Sequence, residues 1–87
     1  MIWDVEMDCT GLLCPLPVLK AQKRLHAMAP GQILALLATD AMAAVDLPHF
    51  CDQTGHVFLE AKSLEAKSPG AAIDAGVTRY LIRRKST

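Results

Sequence analysis

Cys14 is the residue whose type and surroundings most clearly indicate chemistry in this sequence. Pro15 and Pro17 follow it closely, and an apolar run with helical spacing begins at the same point. Proline is favoured in the first turn of a helix, where its missing N–H would have no intrahelical partner. We therefore expect Cys14 at or beside the N-cap of a helix from about Pro15 to Ala29. Unpaired N–H groups and the positive end of the helix dipole would then favour a thiolate and lower the pKa of Cys14.

The alternative interpretation of Cys14 is a small buried side chain that happens to precede a helix. Ser or Asp would cap a helix at least as well as Cys, so the presence of Cys favours a chemical role. Cys51 occupies an apolar helical position and is expected to be a buried structural thiol. Cys9 ends an alternating strand and is expected to point inward, although the four-residue loop that follows could bring it within disulfide reach of Cys14.

Composition limits the classes of protein to which the chain can belong. Its 87 residues fit a single domain, residues 1–87, with one modest core. A formal net charge of zero gives no overall field for nucleic acid or an acidic membrane. We expect no secretory signal in the first residues, and no apolar run has the length of a membrane helix. Three cysteines cannot form a complete disulfide framework, so we expect a reducing, cytoplasmic compartment.

The apolar pattern predicts six elements in the order βαβαββ. Alternation or short apolar runs indicate the strands, and apolar residues three and four apart indicate the helices. The predicted strands are Ile2–Cys9, Ile33–Ala38, Val57–Lys62 and Val77–Arg84, and the second helix runs from Thr39 or Asp40 to about Thr54. We predict an α+β fold, a two-layer sandwich in which two helices cover one face of a four-stranded mixed sheet.

The first strand and the two helices are each predicted to present one apolar face. The predicted inward residues are Trp3, Val5, Met7 and Cys9 on the first strand, Val18, Ala21, Leu25 and Met28 on the first helix, and Leu47, Phe50 and Cys51 on the second. These side chains are the predicted core.

Two breaks in the pattern carry predictions about local structure. Pro48 is expected to kink the second helix or to restart it with Asp46 as a new N-cap, and Gly55 is expected to cap its C-terminus. Residues 64–76 are rich in Ala, Ser, Gly and Pro, which indicates a long hairpin connection with room for one helical turn at Ala71–Ala75.

Two groups of basic residues could contact partners. Lys20, Lys23 and Arg24 lie off the apolar face of the first helix, where they form either an ordinary solvated surface or a docking surface for an acidic partner beside Cys14. The arginines of the last strand could contact phosphate, or they could protect an exposed sheet edge from association. These arginines are Arg79, Arg83 and Arg84.

A second group of potential metal ligands lies in the second helix and just after it. His49, Cys51, Asp52 and His56 are close in sequence, but no Cys-x-x-Cys pair accompanies them. We therefore predict no metal site. No glycine-rich phosphate loop, paired catalytic carboxylates or Ser/His/Asp order is present either.

The segment around Cys14 also carries a family resemblance. Asp8, the Gly11-Leu12 pair and Cys14-Pro15-Leu16-Pro17 resemble the signature of the TusA/SirA-like sulfur-carrier proteins, in which an Asp and a Gly-Leu pair lead into Cys-Pro-x-Pro. The resemblance continues in collinear order through residues 30–32, 39–41, 46–51, 54–56 and 80–83, which covers nearly the whole chain. The chain departs from the family at Cys9, where a small non-thiol residue is more usual, and in residues 63–76, a longer connection than usual.

The resemblance implies a small sulfur carrier without cofactor or metal. Cys14 would accept a sulfane sulfur as a persulfide from a cysteine desulfurase or a rhodanese, and pass it to an acceptor such as a DsrE-like protein. The resemblance further implies a sulfurtransferase-like carrier, more than an enzyme that turns over a small molecule, and thiolation of tRNA is among the pathways that it suggests.

Two other classes of function remain open at this point. The predicted βαβαββ sandwich resembles the C-terminal domain of translation initiation factor three, which suggests an RNA-binding or regulatory module. Zero net charge and the lack of solvent-facing aromatic residues speak against direct nucleic-acid binding. The third possibility is a thiol redox switch that uses Cys9 and Cys14.

Overall fold

A computed structural model describes residues 3–64 and 76–86 of the chain. Four strands and two helices follow one another there in the predicted order βαβαββ. The elements are β1 (Val5–Cys9), α1 (Leu16–Ala27), β2 (Ile33–Ala38), α2 (Ala43–Thr54), β3 (Val57–Leu64) and β4 (Val77–Arg83). The predicted connection between the last two strands, with its helical turn at Ala71–Ala75, lies almost entirely outside the described residues.

The sheet has the strand order β1-β2-β4-β3. β1 pairs with β2 in parallel, whereas β4 is antiparallel to both β2 and β3. This mixed sheet confirms the predicted α+β class. β2 is a central strand, and its successive residues Leu34, Ala35 and Leu36 are all buried, in agreement with its continuous apolar sequence.

β4 is central as well, and this makes one prediction about its arginines wrong. A strand between two neighbours has no free edge to protect. Instead, Arg79 lies 4.6 Å from the ring centre of Trp3, a cation–π distance. Arg84, just after β4, donates from Nε to the carbonyl of Leu25 at 2.9 Å, near the C-terminal end of α1.

The core lies between the sheet and the two helices, as predicted. Ala21 and Leu25 of α1 and Leu47 of α2 are fully buried against Leu36 and Ile82 of the sheet's central strands. The same cluster contains Cys9, Met28, Leu34, Ala38, Ala43, Phe50, Cys51 and Tyr80, with Val5, Met7, Leu12, Val18 and Phe58 packed against it. Truncating one such residue, for example Leu25→Ala, removes contacts worth about 2–5 kcal/mol.

Trp3 departs from the predicted inward set. It precedes a bend at Asp4, and β1 begins only at Val5, so the strand alternation does not extend to it. Its ring meets Arg79, which alternates along β4 with the core residue Tyr80 and therefore lies on the other face of the sheet.

α2 is a single continuous helix, so the predicted kink or restart at Pro48 is wrong. The carbonyl that Pro48 leaves without an intrahelical donor belongs to Ala44, an exposed residue, where solvent can reach it. Asp46 consequently lies in the first turn of α2 instead of capping a second helix. Gly55 caps the C-terminus in the left-handed conformation, with φ of 90°, as predicted.

Both helices are short. Each has 12 residues, and no helix in the described ranges 3–64 and 76–86 is long and apolar enough to cross a membrane.

Candidate functional site

Cys14 lies in the loop between β1 and α1, directly before the N-cap of α1, in agreement with its predicted place at or beside that N-cap. Pro15 occupies the N-cap, and its carbonyl accepts the N–H of Leu19 at 3.1 Å, while Pro17 falls within the first turn. The peptide bond between Cys14 and Pro15 is cis. Cys14 is exposed. The helix start thus presents the thiol to solvent, but from just outside the helix.

Hydrogen bonds fix the loop that leads to Cys14. The Asp8 carboxylate accepts both the N–H and the hydroxyl of Thr10, at 2.9 and 2.6 Å, and these bonds lower the pKa of Asp8. Gly11 has a φ of 82°, which favours glycine, and its N–H donates to the Thr39 hydroxyl at 2.8 Å. The loop after β1 is therefore tied to the loop after β2.

Two carboxylates from that second loop and from α2 meet Cys14. The backbone N–H of Cys14 donates to Asp40 Oδ2 at 2.5 Å. Its thiol donates to Asp46 Oδ2, with the sulfur 2.7 Å from the oxygen. Asp40 also accepts the N–H of Met42 at 3.1 Å, so it joins the start of α2 to the start of α1. The beginnings of both helices therefore meet at Cys14.

These carboxylates raise the pKa of Cys14, which makes the prediction of a lowered value wrong. The largest cause is the hydrogen bond from the thiol to Asp46, followed by desolvation and by the negative charges of Asp46 and Asp40. A thiolate would lose the hydrogen bond and would add a negative charge beside existing ones. These contacts therefore favour the thiol form of Cys14 over the thiolate.

Reasoning from the sequence missed the roles of Asp40 and Asp46 at Cys14, although a signal for Asp40 existed. Parallel strands that are joined by a right-handed crossover end at the same edge of a sheet, so the loops after β1 and β2 must be neighbours. Asp40 and Cys14 both stand shortly after these strand ends. The predicted parallel pair thus implied that a carboxylate would lie near the cysteine.

A shallow groove of about 250 Å³ opens beside the thiol. Its lining comes from the beginning of α1 and from one face of α2. The lining residues are Cys14, Pro15, Val18, Asp46, His49, Phe50 and Gln53.

Exposed apolar side chains also lie at and near the beginnings of both helices. We call them the apolar rim: Leu13, Leu16, Leu19, Met42 and Val45. Leu13, directly before Cys14, is 70% exposed. Large apolar residues that are clustered and exposed are typical of a surface that meets another molecule.

The other two cysteines are unlike Cys14. Cys9 is 0% exposed and Cys51 is 2% exposed, and both are core residues, as predicted. Burial raises the pKa of Cys51 to about 11 and also raises the pKa of Cys9. All three cysteines are free in this structure.

The potential metal ligands near α2 are not brought together. Cys51 is in the core, His49 lines the groove, and His56 accepts the backbone N–H of Lys85 through Nδ1 at 3.0 Å. Asp52 is exposed. Across residues 3–64 and 76–86, no three or more His, Cys, Asp or Glu side chains are placed to hold a metal ion.

The basic residues of α1 do share a surface. Lys20, Lys23 and Arg24 are exposed and border a pocket of about 220 Å³ with Met7 and Ala27. We call Lys20, Lys23 and Arg24 the basic face. It begins six residues after Cys14, on the helix that starts beside the thiol.

Known proteins resemble the chain in both sequence and fold. The family model described as Sulfurtransferase TusA matches residues 5–84. The sulfur carrier protein TusA of Pseudomonas entomophila strain L48 is 36% identical over 86 residues, which cover 99% of this chain and 95% of that protein. The sulfur carrier protein TusA of Allochromatium vinosum is 47% identical over 60 residues, covering 69% of this chain and 79% of that protein.

A solved structure shares the fold. The crystal structure of a SirA-like protein from Desulfitobacterium hafniense has a TM-score of 0.69 and 23% identity, and the alignment covers 94% of this chain and 99% of that one. The two-layer arrangement described above therefore has an experimentally solved counterpart.

Proposed function

Since this chain belongs to the TusA family, we propose that it is a sulfur carrier that accepts a sulfane sulfur as a persulfide on Cys14 and relays it to an acceptor protein. The observation that supports this most is the contrast among its cysteines. Cys14 is exposed beside a groove, whereas Cys9 and Cys51 are buried in the core. A buried thiol is inert, so a partner's sulfur can reach only Cys14.

The proposed loading step is a sulfur exchange that needs no oxidant. The Cys14 sulfur attacks the terminal sulfur of the donor's persulfide, and a new S–S bond forms at Cys14. The S–S bond of the donor breaks, and the donor cysteine leaves with the electron pair and takes up the proton that Cys14 loses. In the unloading step a cysteine of the acceptor attacks the terminal sulfur in the same way, which restores the Cys14 thiol.

The proposed partners are proteins. A cysteine desulfurase or a rhodanese would be the donor, a DsrE-like protein would be an acceptor, and thiolation of tRNA is one pathway that such a relay could supply. The apolar rim and the basic face offer both apolar contact and charge attraction near Cys14. We place the carrier in the cytoplasm, because an exposed free thiol is typical of a reducing compartment.

Transfer of labelled sulfur tests the relay. The protein is incubated with a cysteine desulfurase and ³⁵S-labelled cysteine, separated from the donor, and mixed with a DsrE-like protein. We expect label on the carrier first and on the acceptor afterwards, and no label on either with the Cys14→Ser variant. Label that reaches the acceptor equally well through Cys14→Ser would contradict the proposal.

A further inference from the structure

We propose that Asp46 is a positioning residue that holds the unloaded Cys14 in its thiol form and thereby restricts its reaction with small electrophiles. The proposal deepens the proposed function, because it describes the resting state of the same sulfur site. Asp46 belongs to α2, whereas Cys14 lies in the loop between β1 and α1.

The geometry of the contact supports this role. The Cys14 sulfur lies 2.7 Å from Asp46 Oδ2. An ionised carboxylate can only accept hydrogen bonds, so the hydrogen of this bond must be on the sulfur. The bond therefore exists only while Cys14 is a thiol. Loss of the proton would break it and place two negative charges against each other.

The surroundings offer little that would offset this effect. Asp40 adds a second carboxylate, which accepts the backbone N–H of Cys14 and fixes the position of that residue. α1 contributes the apolar Pro15 and Val18 to the groove, and α2 contributes His49. Within the described part of the chain, no Lys or Arg forms an ion pair with Asp46. The negative charge beside the sulfur is therefore not neutralised from within this part of the protein.

The hydrogen bond from Cys14 to Asp46 can form only while Cys14 carries no extra sulfur. In a persulfide the inner sulfur has no hydrogen to donate, and the terminal sulfur lies a further ~2 Å away along the new S–S bond. The bond from Sγ–H to Asp46 Oδ2 is then lost. Asp46 thus separates the reactivity of the empty carrier, which it lowers, from that of the loaded carrier.

The pH dependence of alkylation tests the proposal. Full-length protein is treated with iodoacetamide across a pH series, and modification of Cys14 is measured on its peptide by mass spectrometry. Because the thiolate is the nucleophile, the rate follows its population. Asp46→Asn keeps an oxygen acceptor but removes the charge, so we expect its profile to move to lower pH and its rate at neutral pH to rise several-fold.

Two variants separate charge at the sulfur from general effects. Asp52→Asn removes a different α2 carboxylate, which is exposed and forms no hydrogen bond with Cys14, and it should leave the profile unchanged. Asp46→Glu keeps the charge and should restore most of the wild-type profile. A profile for Asp46→Asn that coincides with that of the wild type would overturn the proposal.

A measurement on the wild type alone covers the case in which Asp46→Asn does not fold. The profile of folded protein should lie at higher pH than that of a peptide of residues 8–18, and coincident profiles would overturn the proposal. Sulfur loading is scored separately. A wild type that never accepts sulfur would contradict the proposed function but would leave the alkylation result unchanged. Normal sulfur loading with coincident alkylation profiles would contradict only the role of Asp46.

Discussion

The three cysteines of this chain show how environment decides the chemistry of one residue type. Cys9 and Cys51 are covered on all sides by core residues, so no partner can approach them. Cys14 is exposed, but its sulfur is bonded to a carboxylate. Accessibility, and not an unusually acidic thiol, is therefore what distinguishes Cys14.

Cys9 is expected to take no part in sulfur transfer. Its thiol is buried and faces the core, whereas Cys14 is exposed, so the intervening loop would have to rearrange before the two sulfurs met. Sulfide release from the loaded protein should consequently be equally slow in the wild type and in Cys9→Ala. The measurement is the rate of sulfide release after loading, with circular dichroism as the control for folding.

The opposite result would support the redox switch. If Cys9 attacked the persulfide, hydrosulfide would leave and a Cys9–Cys14 disulfide would form. Release that is much slower in Cys9→Ala, together with a Cys9–Cys14 peptide from non-reducing digestion of the wild type, would favour the switch over the carrier.

The helix α1 contributes to the site, to the core and to the surface. Its start lies beside the thiol, one face packs Ala21 and Leu25 into the core, and another carries the basic face. A partner that docks beside Cys14 would therefore also meet the positive charges of this helix.

The basic face is predicted to speed association with an acidic donor. Changing Lys20, Lys23 and Arg24 to Glu should slow sulfur transfer mainly through the association rate, and the difference from the wild type should shrink as salt is added. Arg83→Glu, at an exposed position of β4, is the control for a charge reversal outside this face, and it is compared with Lys20→Glu alone so that the change in net charge is equal. Equal transfer rates of the variant and the wild type at low salt would show that the basic face is an ordinary solvated surface.

For the whole molecule, His56 links the end of α2 to the residues that follow β4. Its Nδ1 accepts the N–H of Lys85, and Lys85 Nζ donates to the carbonyl of Thr54 at 2.9 Å. Burial lowers the pKa of His56 from the usual 6.5, and the charges of Lys85 and Arg84 lower it further. Protonation of Nδ1 would end the hydrogen bond from Lys85.

Stability should therefore fall on mild acidification. Since the folded pKa of His56 lies below the unfolded value of 6.5, the unfolded chain binds the proton more readily, and this contribution is present above pH 6.5 and is lost as pH falls through the folded pKa. Urea titrations from about pH 7.5 to about pH 5 should show this loss in the wild type, and a smaller one in His56→Asn. His26→Asn, at an exposed position of α1, is the matched control; equal slopes for the wild type and His56→Asn would contradict the expectation.

Much of the fold could be predicted because local patterns determine it. The spacing of Ala21, Leu25 and Met28 and the alternation of Val5, Met7 and Cys9 follow directly from helix and strand periods. The central position of β4 could not be predicted, because strand order depends on pairing between distant segments. Likewise, a sequence pattern shows the helix start beside Cys14 but not the carboxylate of Asp46 that changes its pKa.

Intact-mass spectrometry of the loaded protein tests the central claim most directly. After incubation with a cysteine desulfurase and cysteine, the wild type should gain about 32 Da, the mass of one persulfide sulfur, and a reductant should remove it. Cys51→Ser should load like the wild type because Cys51 is buried, whereas Cys14→Ser should stay at its unmodified mass. Loading that survives Cys14→Ser would contradict the assignment of Cys14 as the sulfur-bearing residue.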